Sequence, residues 1–286
     1  MDKSTALGYN YQTVPILYVV ATPIGNLEDI SLRALRILQE VKLIAAEDTR
    51  TTRKLLNAYN IKTPATSYHA RSKRGKLDYL LHCLEEEDVA LVSEAGMPGL
   101  SDPGYRLIVA AIDHGIRVVP IPGASAVASA LVVSGLPTYQ FIYLGFLPRR
   151  QGQRCRLLKS IANEPRTIVS FEAPHRLKET LIDIEEVLAN RKIAVCREIT
   201  KIHEEIFRGK VSQAREHFTE PRGEFTLVIE GRAREEYRVT EEMEIKLREL
   251  CQQGVGAKEA TSRISQTSGL PRKRLYQTWL NLKKGD

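Results

Sequence analysis

Asp88-Val89-Ala90-Leu91-Val92-Ser93-Glu94-Ala95-Gly96-Met97-Pro98-Gly99-Leu100-Ser101-Asp102-Pro103-Gly104 begins as an apolar run and ends as a turn dense in glycine and proline. Residues 89–92 predict a buried strand, and the turn supplies a place where backbone can approach a ligand closely. Open α/β sheets hold ligands at such carboxyl-terminal strand ends. The design recurs twice. Residues 17–20 run into Ala21-Thr22-Pro23-Ile24-Gly25-Asn26-Leu27, and residues 118–121 run into Pro122-Gly123-Ala124-Ser125-Ala126. Three Gly/Pro turns at strand ends point to one composite site. Neither G-x-G-x-x-G nor G-x-x-x-x-G-K-[ST] is present, which disfavours dinucleotide and P-loop nucleotide sites.

Working outward, a β-α-β alternation surrounds these strands. Asp29 or Ser31 can cap a helix reaching about Val41, a strand follows at 43–46, and Leu55, Leu56 and Tyr59 mark a second helix. Helices at 76–87 and 105–114 bracket the central strand, ahead of a strand at 117–121. This predicts a mostly parallel sheet with helices on its faces. Beyond Ser134-Gly135-Leu136-Pro137 the pattern reads strand 141–144, helix 154–163, strand 167–171, helix 174–189, and strands at 192–196, 202–207 and 225–229, hence a mixed sheet. The expected class is α/β: two α/β domains, one with a parallel and one with a mixed sheet, and a small C-terminal helical domain. The boundaries are a loose arm at 1–13, domains at 14–135 and 136–232, and a basic helical segment at 233–286.

The chain has 286 residues, 43% hydrophobic and 27% charged, in the ordinary range for a soluble two-domain protein. No apolar run approaches the roughly 20 residues that span a bilayer. Met1-Asp2-Lys3-Ser4 lacks a secretory h-region, so a cytoplasmic location is expected. Cys83, Cys155, Cys196 and Cys251 lie far apart with no CxxC pair, so reduced thiols are expected and no metal site. The net charge of +7 favours a polyanionic partner. Its bases cluster at Arg71, Lys73, Arg74 and Lys76, again at Arg149, Arg150, Arg154, Arg156 and Lys159, and from Ser262 onward, where six bases face one acid. One such run reads as a solvated face; three together favour nucleic acid. Ala257 to Ile264, the turn Ser268-Gly269-Leu270-Pro271 and a basic helix carrying Leu275, Trp279 and Leu282 give the outline of a helix-turn-helix, one that many small helical pairs share.

The turns, taken in order, resemble a known family. Ala21-Thr22-Pro23-Ile24-Gly25-Asn26-Leu27-Glu28-Asp29-Ile30, Ala45-Ala46-Glu47-Asp48-Thr49-Arg50, Leu91-Val92-Ser93-Glu94-Ala95-Gly96-Met97-Pro98 and Ser101-Asp102-Pro103-Gly104 belong to the set. So do Pro122-Gly123-Ala124-Ser125-Ala126, Gly145-Phe146-Leu147-Pro148, Phe171-Glu172-Ala173-Pro174-His175-Arg176 and Arg197-Glu198-Ile199-Thr200-Lys201. The series is similar to the ribosomal RNA small subunit methyltransferase I family, 2′-O-methyltransferases of the tetrapyrrole-methylase fold. The resemblance runs from about residue 15 to 231, and the basic tail fits the family's extra C-terminal domain. It implies S-adenosyl-L-methionine bound between two α/β domains, a homodimer, and methylation of a cytidine ribose in the decoding region of 16S rRNA in the small ribosomal subunit. It carries over Pro23, Ser93, Ala95, Gly96, Leu100, Asp102, Ser125 and Ala126 as cofactor-site candidates, with Glu172 and the Gly223-Glu224 turn. After Tyr68-His69 the family usually has a second histidine and an asparagine, whereas this chain reads Ala70-Arg71-Ser72-Lys73.

Methyl transfer to a ribose hydroxyl needs alignment and an acceptor for its proton. Glu47 and Asp48 at a strand end can accept it while Arg50 holds a phosphate; equally, Asp48 or Thr49 can simply cap the next helix. His69 can act as a base near neutral pH or be a packed or surface residue. His175-Arg176 can bind phosphate or occupy a first helical turn, and Lys201 can bind phosphate or pair with Glu204. Two other functions fit the same features: a tetrapyrrole-type small-molecule methylase, which needs no basic tail, and a non-catalytic RNA-binding assembly factor.

Overall fold

The apolar runs at 16–20, 43–46, 89–92 and 117–121 become strands and, with the short polar strand at 65–67, form one parallel sheet. In a computed structural model, which describes residues 15–69, 71–100, 104–232 and 239–284, the first half contains β1 (Ile16–Val20), α1 (Leu32–Glu40), β2 (Leu43–Ala46), α2 (Thr49–Ala58) and β3 (Ala65–Ser67). It continues with α3 (Arg74–Glu86), β4 (Val89–Val92), α4 (Tyr105–Asp113), β5 (Arg117–Ile121) and α5 (Ala126–Val133). The strand order is β3-β2-β4-β1-β5, with every pair parallel. Alternating side chains feed two cores, as the period of a strand requires. Ala90 and Val92 join Ile37, Leu38 and Leu56 of α1 and α2 on one face, and Val89 and Leu91 join Leu80, Leu84 and Leu107 of α3 and α4 on the other. Ser31 is the residue that caps α1, accepting from Ala34 N at 3.1 Å.

The second sheet is mixed. It comprises β6 (Phe141–Phe146), α6 (Gln151–Ser160), β7 (Thr167–Glu172), α7 (Leu177–Leu188), β8 (Lys192–Arg197), β9 (Glu205–Lys210), α8 (Val211–His217) and β10 (Phe225–Ile229). The order is β6-β7-β10-β8-β9, with only β6 and β7 parallel. One face packs on α6, α7 and α8 through Leu158, Leu181, Ile184 and Val211. The other face, through Val169, Ala194 and Val228, packs on Val127, Ala130 and Leu131 of α5. Helix α5 follows the first sheet in sequence yet is cored with the second, so it rivets the two sheets together and fixes the space between their edges.

Residues 1–232 and 233–286 divide as two compact units. Within the second, α9 (Glu241–Gln252), α10 (Ala257–Ser268) and α11 (Arg272–Lys284) enclose Leu247, Ala260, Ile264, Leu270, Leu275 and Trp279. Gly269, at φ +71°, ends α10 in the left-handed conformation that glycine adopts without a Cβ clash. The expected arm at 1–13 lies outside the described residues. No helix among the described residues is long and apolar enough to cross a membrane.

Candidate functional site

The carboxyl ends of β1, β4 and β5 are knitted together by backbone. Thr22 and Gly96 exchange two hydrogen bonds, Thr22 N to Gly96 O at 2.9 Å and Gly96 N to Thr22 O at 3.0 Å, while Ala21 N donates to Ile121 O at 3.1 Å. The Thr22 hydroxyl donates to Ser93 O at 3.3 Å, and the Ser93 hydroxyl reaches the carbonyls of Ala95 and Gly96, both at 3.2 Å. Gly96 sits at φ +78°, and a Cβ on Gly123 would stand 2.9 Å from that of Ala21. Gly96 is needed for its left-handed backbone, and Gly123 because a side chain would collide with the neighbouring turn.

These turns form one side of a cleft of about 730 Å³, within the range of small-molecule sites. Pro23, Ser93, Ala95, Gly96, Leu100, Ser125 and Ala126 all line it. Ser125 caps α5, so that helix points its amino terminus at the cleft. The facing wall comes from the second sheet: Phe146, Phe171, Glu172, Cys196, Ile199, Lys201 and Glu224. Asp102 lies outside the described residues. Of the four residues considered for proton transfer and phosphate contact, Glu47 lines the cleft; Asp48, Arg50 and His69 do not.

Local chemistry explains those placements. Asp48 caps α2, accepting from Arg50 N at 2.7 Å, and pairs with the Arg50 guanidinium at 2.9 Å. The side-chain hydrogen bond from Arg50, then the backbone one, lowers the Asp48 carboxyl from 3.8 to about 2. His69 is exposed, and its Nδ1 accepts from Arg71 N at 3.2 Å. Glu47 has fewer obligations: Oε2 accepts from Glu94 N at a long 3.3 Å.

Glu172, 2% exposed, is fully engaged. Oε1 accepts from Ala173 N and Arg176 Nε, both at 2.8 Å, and from Arg176 Nη2, while Oε2 accepts from the Thr180 hydroxyl at 2.7 Å. Arg176 is therefore turned inward, and His175 is the exposed member of that pair. Lys201 bonds Glu198 at 2.8 Å and Glu224 at 3.1 Å, whereas the Glu204 carboxylate takes Thr200 N at 2.7 Å. Burial opposes the charge on Lys201, but its two carboxylate partners prevail and raise its pKa. Glu198 and Thr200 hold φ of +50° and +68°, unusual for residues with side chains. Gly25 completes the contact: a Cβ there would fall 2.3 Å from Lys201 Cγ, so only glycine lets this loop close against the β1 turn.

Sequence reading did not find Thr51, Lys54, Leu55 or Cys196 in the cleft. Thr51, Lys54 and Leu55 are one helical turn of α2, and their facing follows from how α2 docks rather than from any local signal. The arginine-rich segment also divides. Arg154 is 1% exposed and buried against Asp183, so it is a core residue, while Arg149, Arg150, Arg156 and Lys159 stay exposed.

Residues 16–215 match the family of Tetrapyrrole (Corrin/Porphyrin) Methylases. The ribosomal RNA small subunit methyltransferase I of Synechocystis is 46% identical over 93% of this chain and 98% of its own. That of Thermotoga maritima is 52% identical over 76% of this chain and 98% of its own. Among solved structures, the methyltransferase CobJ superposes with a TM-score of 0.58 at 17% identity, covering 76% of this chain and 95% of its own. A uroporphyrin-III C-methyl transferase from Thermus thermophilus, complexed with S-adenyl homocysteine, gives 0.54 at 18% identity over 75% and 96%.

Proposed function

The chain belongs to the ribosomal RNA small subunit methyltransferase I family within the tetrapyrrole methylases, and from that premise we propose that it methylates the 2′-oxygen of a cytidine ribose in the decoding region of 16S rRNA. The observation that carries the reading is the cleft, where three strand-end turns, a helix amino terminus and an aromatic wall converge. S-adenosylmethionine fits those residues by chemistry. Leu27, Leu100 and Phe171 offer an apolar slot, the turn backbones offer donors and acceptors, the start of α5 suits a carboxylate, and Glu94 suits a cationic group. When bound, that cofactor supplies a methyl group on a sulfonium already activated for displacement.

The chain's own residues then have three tasks. Pro23, Ser93, Ala95, Gly96, Leu100, Ser125 and Ala126 hold the cofactor in one pose, and such alignment is worth roughly 7–11 kcal/mol. Glu47 takes the hydroxyl proton, a contribution of about 10²–10⁴-fold. Asp48 is the weaker choice because its carboxyl is held near 2 by Arg50. Glu172 keeps the 171–176 wall in place, and Lys201 with Glu198 and Glu224 closes the opposite rim. The basic three-helix segment and a homodimer complete the reading, both resting on the family.

The test is incorporation of a labelled methyl group by the full chain, offered small-subunit RNA and a tetrapyrrole in parallel. Label in RNA is expected, with Glu47→Gln reducing transfer about 10²-fold or more while keeping cofactor affinity by calorimetry. Label in the tetrapyrrole alone refutes the RNA reading.

A further inference from the structure

Between β6 and α6, residues 146–150 hang on two buried arginines. Arg176 Nη2 donates to Leu147 O at 3.2 Å, and Arg154 Nη1 donates to Pro148 O at 3.4 Å and Arg149 O at 3.3 Å. Each arginine is locked from beneath. Glu172 holds Arg176, and Asp183 Oδ2 holds Arg154 at 2.5 Å while its Oδ1 accepts from Gln151 Nε2 at 3.0 Å. Three consecutive carbonyls therefore take charged donors, each donor neutralised by a buried carboxylate.

Buried ion pairs are a costly way to stabilise a fold, and their best use is to fix geometry. Here they fix a segment with an unusual outer face. Phe146 is 58% exposed, lines the cleft and meets the Phe171 ring edge-on at 5.5 Å. Arg149 and Arg150 follow it, exposed, with no carboxylate in ion-pair reach among the described residues; Arg156 and Lys159 of α6 are likewise exposed and unpaired. An open aromatic ring beside free guanidinium groups matches single-stranded nucleic acid, whose bases stack on rings while its phosphates take arginine. A segment already held rigid loses little entropy on binding.

We propose that residues 146–150 are the platform for the RNA strand entering the cleft: Phe146 receives a base face, and Arg149 and Arg150 pair with backbone phosphates. The inference rests on the RNA methyltransferase reading. Arg176 and Arg154 are positioning residues acting through the carbonyls they hold.

The test uses the full chain and a single-stranded decoding-region oligoribonucleotide, with affinity measured across a salt series. Arg149→Ala with Arg150→Ala is expected to flatten the slope of log K against log salt by about 1.4, at about 0.7 per lost phosphate contact, with cofactor affinity unchanged. Phe146→Ala is expected to weaken RNA binding roughly 5- to 150-fold, and Phe146→Leu, which keeps the apolar bulk but not the ring, to be weakened too. An unchanged slope and affinity in the double arginine variant overturns the inference. So does an equal loss of polyglutamate binding, which marks a surface for acidic protein. Failure of the enzyme reading is seen separately: a wild-type chain that methylates no RNA refutes the activity, while a slope lost in the arginine variant still supports the platform.

Discussion

Glu172→Ala separates a strut from a ligand contact. The substitution leaves the guanidinium of Arg176, a residue 9% exposed, without its carboxylate, and orphans Ala173 N and the Thr180 hydroxyl. Removing one partner of a buried pair costs about 3–5 kcal/mol. For a unit of this size each kcal/mol moves Tm by roughly 2–4 °C, so a fall of roughly 6–20 °C is expected. Glu172→Gln keeps the shape and loses the charge, and the weakened hydrogen bonds cost about 1.5–3 kcal/mol. The assay is thermal unfolding followed by circular dichroism, with cofactor affinity measured well below the lower Tm. Glu172→Ala melting within about 2 °C of the parent would refute the reasoning, the scatter of ordinary surface changes being about 0.5 kcal/mol. A hundredfold loss of cofactor affinity at unchanged Tm would make Glu172 a ligand contact instead.

Three further outcomes follow from the same geometry. Gly25→Ala forces a methyl to 2.3 Å from Lys201 Cγ and 3.1 Å from Thr200 Oγ1, an overpacking worth about 1–3 kcal/mol. Chemical denaturation should show that loss, and adding Lys201→Ala should recover most of it; no recovery would mean the clash lies elsewhere. The Asp48 carboxyl should titrate near 2 by NMR, so its pairing favours the fold above its ordinary 3.8 and is lost as pH falls through about 2. An ordinary midpoint there would show that the Arg50 contacts do not persist in solution. Burial raises the Cys196 thiol to about 11, so alkylation at neutral pH should spare it in the native protein and reach it only on unfolding. Rapid native labelling at Cys196 would contradict its place beneath the cleft surface.

The parallel sheet was legible because four of its strands are short apolar runs, three of them with glycine and proline at their exits, and the run at 117–121 matches β5 residue for residue. β3 left no trace in the pattern: Ala65-Thr66-Ser67 is too short and polar to read, and its pairing with β2 makes it a strand. α5 and α8 were also missed, the first because it is apolar on all sides and shows no period, the second because it has only seven residues. The turns that line the cleft could be picked out because glycine and proline have a local meaning. The contacts that decide chemistry could not. Arg154 looked like one more surface base until its partner Asp183, 29 residues away, came within 2.5 Å. Lys201 meets Gly25 across the two sheets, and no sequence spacing announces it. Asp48 and Glu47 are adjacent in sequence, yet a helix cap uses up one and leaves the other to the cleft.

The central claim is the identity of acceptor and atom, and one measurement addresses both. Small ribosomal subunits from cells lacking this protein are incubated with it and labelled S-adenosylmethionine, and the RNA is mapped by primer extension sensitive to ribose methylation. A single new stop at a decoding-region cytidine is expected. Label that enters a base, a scatter of sites or no RNA at all, from a chain that binds the cofactor, would contradict it.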